Sequence, residues 1–244
     1  MAGYVWSKWK KTAALRKEPR IARCIPETAR MRKSTLKRML DRYGMVYVKP
    51  EKGMWGNGVM RVERLGTAYR YQHGTKVKEH GTYDSFYAAL LRETRQRKYL
   101  VQRGINLLKY KGRRFDLRVM AQFSPRGTWE TTGIIGRVAD KRKIVTNAHN
   151  GGELVAAERL LAPHAKQADA KLKALAELGV LTGQTLRSAF PGVHKVGLDI
   201  AMDATLKPWI LEVNTMPDPY LFRKLPDKRI FQKVMRYEKA YRAR

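Results

Sequence analysis

Hydrophobic and polar positions along the chain change their period several times, and each change marks an element. Residues 34–44 read as a helix, with Ser34 as N-cap and Gly44 at its end. Residues 45–49 alternate as a strand that Pro50 stops, a glycine-rich loop follows, and 59–63 resume the alternation. Residues 69–77 extend as one further strand. Asp84 suits the N-cap of a helix through about 96, with Phe86, Ala89, Leu90 and Glu93 at helical spacing. Residues 99–102 form a short apolar strand, and 114–123 and 128–138 two longer ones joined by the turn 124–127. An amphipathic helix over 165–178 carries Ala168, Leu172, Leu175 and Ala176 on one side, and a second helix over about 181–190 stops at Pro191 and Gly192. Strands at 196–203 and 208–214 flank a polar turn, and a basic helix from about 226 closes the chain. Helices mixed with antiparallel hairpins predict an α+β fold.

Composition narrows the function classes. The chain has 244 residues, 43% of them hydrophobic, which is enough for a sizeable core and argues against disorder. Its apolar runs are far too short to span a membrane, and the N-terminus shows no secretory h-region. Cys24 is the one cysteine, so an intrachain disulfide or a cysteine-rich metal site is excluded. These features predict a cytoplasmic protein. The net charge of +30 attracts polyanions. It concentrates at the ends: residues 1–44 carry 13 Lys/Arg against 3 acids, and 223–244 carry 9 against 2. An acidic polypeptide or an anionic polymer is the expected partner. Nucleic acid is also permitted, although no signature of a nucleic-acid-binding fold specifies it.

Three constellations carry candidate chemistry. On the last strand pair, alternation puts Glu212 and Asn214 on one face, and Asp199 and Asp203 share a face of the partner strand. If the strands pair, Asp199, Glu212 and Asn214 converge, and carboxylates on apolar strands call for a cation such as Mg²⁺. Alternation of a half-solvated hairpin gives the same pattern without a metal. Second, Lys49 at a strand end precedes a loop with Gly53, Gly56 and Gly58, in which backbone N–H groups can approach phosphates. Trp55 at its tip suits a lid over a ligand, whereas a plain hairpin turn accounts for the glycines alone. Third come Arg118, with Asp116 on its face, Arg137, and the run Asn147 to Gly151 and Gly152. Forked guanidinium donors suit a transferring phosphoryl group, though in so basic a chain each arginine also suits an ordinary surface.

The order of these pieces resembles the ATP-grasp fold: Lys-Pro, glycine loop, hinge strand, Asp-x-Arg, Asn-x-x-x-Gly-Gly, Asp, then Glu-x-Asn. The likeness covers roughly residues 25–222. Ile25-Pro-Glu-Thr, Tyr47-Val-Lys-Pro, Phe115-Asp-Leu-Arg-Val and Gly133-Ile-Ile-Gly-Arg-Val are similar to the YheC/YheD group, which is associated with spore coats. The C-terminal half also resembles RimK-type glutamate ligases.

The resemblance implies two α+β lobes clamping ATP, an N-lobe over 25–104 and a C-lobe over 105–222, between a basic arm or helix at 1–24 and a basic helix at 223–244. It implies that Lys49 contacts the phosphates under the 51–58 loop, and that backbone groups of Gln102, Arg103 and Gly104 hydrogen-bond adenine. Asp199, Glu212 and Asn214 would hold two Mg²⁺ ions bridged by Glu212. Arg118 and Arg137 would stabilise the transferring group, and Asn147, Gly151 and Gly152 would line the acceptor side. The implied activity is carboxylate–amine ligation through an acyl-phosphate. A kinase acting on an anionic hydroxyl substrate, and a coat-type structural protein with a vestigial ATP site, are the alternatives. The chain departs from the family in three respects. The usual upstream ATP lysine is not assigned, Lys33 and Lys37 being possible positions, the hinge carries Gln102-Arg103 in place of an acid, and about 24 residues leave no room for an N-terminal substrate domain.

Overall fold

The computed structural model describes residues 4–53, 55–140 and 152–242. Two antiparallel sheets organise them. The first has six strands: β1 (Thr28–Arg30), β2 (Met45–Pro50), β3 (Met60–Leu65), β4 (Ala68–His73), β5 (Lys76–His80) and β6 (Tyr99–Arg103), in the order β1-β6-β2-β3-β4-β5. The second contains β8 (Arg113–Phe123), β9 (Trp129–Val138), β10 (Glu153–Val155), β11 (Lys195–Met202) and β12 (Pro208–Asn214), in the order β10-β9-β8-β11-β12, with β7 (Lys109–Tyr110) beside β8.

Period-two patterning decides which face of each sheet is covered. On β2, Val46, Val48 and Pro50 are buried while Met45, Tyr47 and Lys49 alternate to the other side. The buried set packs under α3 (Lys33–Tyr43) and α4 (Tyr83–Thr94), against Leu36, Met39, Leu40, Phe86 and Leu90. In the second sheet Leu117, Val119, Val196 and Leu198 pack against α6 (Ala168–Ala189), and α1 (Lys8–Leu15) adds Leu15 to the same core. Met120 and Ile135 on the opposite face are covered by Phe222 of the 3-10 turn Tyr220–Lys224 and by Val234 of α7 (Lys228–Arg242). Two short helices, α2 (Pro19–Ala22) and α5 (Ala157–Leu161), complete the order.

Five local expectations change. Arg32 rather than Ser34 is the N-cap of α3, and Thr82 rather than Asp84 caps α4, its hydroxyl accepting from the Ser85 N–H. The single strand expected over 69–77 is the β4–β5 hairpin, because Gly74 turns the chain at φ 62°. Asp203, expected on a strand face with Asp199, lies past β11 and accepts from Thr205 N, Lys207 N and Trp209 Nε1 in the turn. The two helices expected over 165–190 are one, α6, because Gly179 and Gly183 are contacts rather than breaks. A Cβ on Gly179 would sit 2.8 Å from Thr131 Oγ1 and 2.9 Å from Val119 Cγ1, and one on Gly183 would sit 2.2 Å from the Trp129 ring.

Gly183→Ala therefore destabilises the fold although alanine favours helix. Overpacking of about 1–3 kcal/mol outweighs a propensity gain of about 1 kcal/mol. Thermal unfolding checks this against Gln184→Ala on the exposed side of the same turn, expected within about 0.5 kcal/mol of the parent.

Candidate functional site

Strand register assembles the charged residues of the second sheet on one face. Asp116 lies opposite Arg137, Arg118 opposite Asp199, and Asp199 opposite Glu212, with Gly197 opposite Asn214. Arg137 Nε donates to Asp116 Oδ1 at 2.8 Å and its Nη2 to Oδ2 at 2.5 Å. The same Nη2 lies 3.1 Å from Asp199 Oδ2, and Arg118 Nε donates to Asp199 Oδ1 at 2.6 Å. Asp116, Arg118, Arg137 and Asp199 are 1%, 7%, 2% and 8% exposed, so the four form a neutral network largely withheld from water. Burial pushes the Asp199 carboxyl up, but the charges of Arg118 and Arg137 outweigh it and hold it below the usual range. Burial likewise opposes the Arg137 charge, and the two aspartates more than restore it.

Glu212 meets cations from elsewhere. Ser7 caps α1 by accepting from the Lys10 N–H, and the helix then runs across the cleft between the sheets. Lys8 Nζ lies 3.4 Å from Glu212 Oε1 and donates to Gly53 O at 2.8 Å. The same segment holds the glycine loop and the second sheet together: Lys8 N donates to Glu51 O, Ser7 Oγ to Glu51 Oε1, and Val5 N to Thr215 Oγ1. From the first sheet Lys49 Nζ reaches Gln102 Oε1 at 2.5 Å and Leu211 O at 3.4 Å. Burial lowers Lys49 and Lys11 to about 8 each, with Glu212 pulling both partly back. Lys8, Lys11, Thr12, Lys49, Gln102 and Glu212 enclose a cavity of about 30 Å³.

The predicted residues fall into three groups. Lys49, Gln102, Arg118, Arg137, Asp199 and Glu212 meet in and beside this cleft. No cluster of three or more His, Cys, Asp or Glu able to hold a metal occurs among the described residues, so the candidate cation set is two carboxylates and the Asn214 amide. Gly53, Trp55, Gly56 and Gly58 form the loop above it, all at positive φ, and Trp55 is 57% exposed at its tip. Gly58 could not carry a side chain, since a Cβ would sit 2.9 Å from the Tyr99 hydroxyl. Gly152 precedes edge strand β10, next to Arg137 on β9, while Asn147 and Gly151 lie outside the described residues.

The hinge needs a correction. The Arg103 and Gly104 N–H groups already donate to Glu27 O and Met45 O, because β6 is an interior strand paired on both sides. They are not free to recognise a base as expected. What faces the cleft there is the Gln102 amide, with the Arg103 guanidinium held between the Tyr43 and Trp209 rings. The upstream lysine is also corrected. Lys33 pairs with Asp84 and Lys37 with Asp41 on the outer side of α3, whereas Lys8 and Lys11 enter the cleft. A signal for them existed in the sequence: Lys8, Lys11, Thr12 and Leu15 recur at helical spacing behind Ser7.

Known proteins resemble this chain in sequence and fold. The family model described as YheC/D-like ATP-grasp matches residues 2–243. The endospore coat-associated protein YheD of Bacillus subtilis (strain 168) is 25% identical over 224 residues, 89% of this chain and 49% of that protein. The chain thus spans about half the length of that curated relative. Among solved structures, the D-cycloserine synthetase DcsG superposes with a TM-score of 0.58 at 10% identity, covering 96% of this chain and 70% of that one. The D-alanine–D-alanine ligase of Coxiella burnetii gives a TM-score of 0.54 at 10% identity, covering 98% and 59%. These two show the ATP-grasp fold. No helix among the described residues is long and apolar enough to cross a membrane.

Removing one member of the buried ion network leaves an uncompensated charge. Asp116→Asn is expected to lower the unfolding free energy by about 3–5 kcal/mol, read by urea titration. An effect under about 1 kcal/mol, typical of an exposed pair, would refute the buried assignment.

Proposed function

Because the chain belongs to the YheC/D-like ATP-grasp family, we propose that it is an ATP-dependent carboxylate–amine ligase that releases ADP and acts on an acidic peptide or polymer. The observation that carries this reading is the convergence of Lys8, Lys11 and Lys49 on Glu212 in one cleft between the sheets. Three cations around one carboxylate suit a polyphosphate whose charge they offset.

The donor set fits magnesium, since Asp199 and Glu212 face each other, Asn214 follows two residues on, and an ammonium already rests beside Glu212. Asp199, Glu212 and Asn214 would hold the magnesium ions. Bound there, magnesium supplies charge neutralisation along the phosphates. Every other role falls to the protein. Lys49 and Lys8 grip phosphate oxygens, and the loop carrying Gly53, Gly56 and Gly58 covers them with Trp55 as its lid. Gln102, Arg103 and Gly104 border the base. Arg118, held through Nε alone on Asp199 among the described residues, turns the rest of its guanidinium to the transferring phosphoryl, and Arg137 keeps Asp199 in place. Gly152, with Asn147 and Gly151, borders the acceptor.

In the proposed reaction a carboxylate oxygen of the acceptor attacks the terminal phosphorus, the bond to the bridging oxygen breaks, and ADP leaves. An amine then attacks the acyl carbon, the carbon–oxygen bond to phosphate breaks, the amine loses a proton, and an amide and phosphate result. Developing negative charge faces arginines already oriented before the reaction, which lowers the barrier electrostatically. A cavity of about 30 Å³ is far below the size of a ligand pocket, about 300–1,000 Å³, so nucleotide binding requires the lobes to part. The Bacillus subtilis relative is described as endospore coat-associated, and an anionic coat polypeptide is one acceptor of the proposed kind.

Incubation with Mg·ATP and candidate acceptors, read by mass spectrometry and phosphorus NMR, is expected to give amide, ADP and free phosphate together. Glu212→Gln is expected to lower turnover at least about 100-fold. A stable phosphoester in place of free phosphate would replace the ligase reading with a kinase.

Proton linkage gives a second test. Lys49 and Lys11 lose their protons near pH 8 in the free protein, and anionic nucleotide favours their charged forms. ATP affinity is therefore expected to be level below pH 8 and to fall above it, by up to about tenfold per pH unit for each lysine. Free-protein stability moves the opposite way. Between about 8 and the ordinary 10.5 the unfolded chain binds more protons, so these lysines add stability as pH rises through that window. Titration calorimetry across pH checks the first trend, and an affinity independent of pH through 8 to 10 would contradict it.

A further inference from the structure

Beside α1 and the start of the glycine loop lies an open groove of about 970 Å³, continued by a second recess of about 330 Å³. Arg30, Arg97 and Lys98 line both, and Lys10 and Lys52 line the larger. All five are exposed, and among the described residues none of them forms an ion pair. Neighbouring cations differ: Arg38 and Arg42 are paired with Glu27, and Lys37 and Arg64 with Asp41. In a chain with 51 basic and 21 acidic residues many cations lack partners, so concavity matters more than number. Five cations converge on one trough whose acid, Glu51, already accepts the Ser7 hydroxyl. Low-dielectric walls around charge of one sign focus the field on a bound anion.

We propose that this groove docks an acidic polypeptide segment as the acceptor, an assignment that rests on the ligase reading above. Backbone geometry favours a polypeptide over nucleic acid. Arg30 lies on β1, the edge strand of the first sheet. Residues 27 and 31 bond toward β6, through Arg103 N to Glu27 O and Met31 N to Tyr99 O, and alternation therefore turns the Arg30 N–H and C=O outward. An extended peptide can pair with them and send alternate carboxylates to Arg97 and Lys98, while a phosphodiester chain has no amide to do so. The groove also leads to the reaction centre. Ser7 and Glu51 form its wall, and Lys8, the next residue after Ser7, contacts Glu212. Trp6, 53% exposed on the same wall, offers apolar surface to glutamate methylenes.

The experiment measures fluorescence anisotropy of a labelled glutamate-rich peptide on the full chain, without turnover, at about 150 mM salt. Arg30→Glu/Lys98→Glu is compared with Lys224→Glu/Lys239→Glu, which changes net charge equally at the C-terminal end. Both variants are first checked for parental melting temperature and ADP affinity. The groove variant is expected to bind the peptide at least about tenfold more weakly, and the distal variant to stay within about threefold. Equal loss in both variants overturns the proposal, since the charge would then act diffusely. A single-stranded oligonucleotide of equal charge that displaces the peptide at equal or lower concentration overturns it in favour of nucleic acid. Because binding is read without chemistry, a groove-dependent peptide that never becomes an amide refutes the ligase reading alone. Amide formation indifferent to the groove charges refutes only the groove.

Discussion

Two aspartates and two arginines on one face of the second sheet have to be neutralised almost entirely by one another, and much of the molecule follows from that requirement. An isolated charge at their depth would cost several kcal/mol, so β8, β9 and β11 must keep the register that sets Asp116 against Arg137 and Arg118 against Asp199. A slip of β8 by one residue would carry Asp116 and Arg118 to the α6 face, among Val119, Val196 and Leu198, and strand Arg137 and Asp199 without partners. On the next strand Glu212 meets Lys8 of α1, while both carboxylates, Asp199 and Glu212, favour the charged forms of Lys11 and Lys49.

Much of this was legible in the sequence, for identifiable reasons. Lys49, Asp199, Glu212 and Asn214 sit on strands, where alternation assigns a face and pairing aligns one strand with the next. Only the pairing of β11 with β12 had to be assumed. Lys8 and Lys11 were not found because the direction taken by α1 depends on contacts with Glu51 and Thr215, 44 and 210 residues away from their partners. Local spacing shows a helical face but not what it will touch. The same limit explains Gly179 and Gly183. Glycine in isolation reads as a helix breaker, and only the positions of Val119, Thr131 and Trp129 reveal that a bare backbone is needed there. The occupancy of the Arg103 and Gly104 N–H groups was not legible for a third reason: whether β6 spends them inside the sheet depends on having neighbours on both sides, which is a property of strand order.

The segment before α1 links the second sheet to the glycine loop. Val5 is bonded to Thr215 of the second sheet's trailing turn, while Ser7 and Lys8 are bonded to the loop that begins at Glu51. Ordering of the glycine loop and closure of the cleft are thus coupled through four consecutive residues. Val5, Trp6 and Ser7 line the open groove and Lys8 the cleft, so cleft and groove are two sides of one short stretch of chain.

The two glycines of α6 also bear on how the chain reaches this state. Each lowers intrinsic helicity by about 1 kcal/mol, and they lie four residues apart in the middle of a 22-residue helix. Alone, that helix would fray at its centre. The β8–β9 hairpin, by contrast, is closed by the short turn after Phe123 and brings Val119, Thr131 and Trp129 together locally. Its surface provides the packing that holds the middle of α6 in place. Strand β11 reaches β8 only after the whole of α6 has been passed, so its pairing carries a larger loop-closure cost than the β8–β9 hairpin. Asp199 enters the buried network through that pairing, so the network is complete only when the sheet is complete.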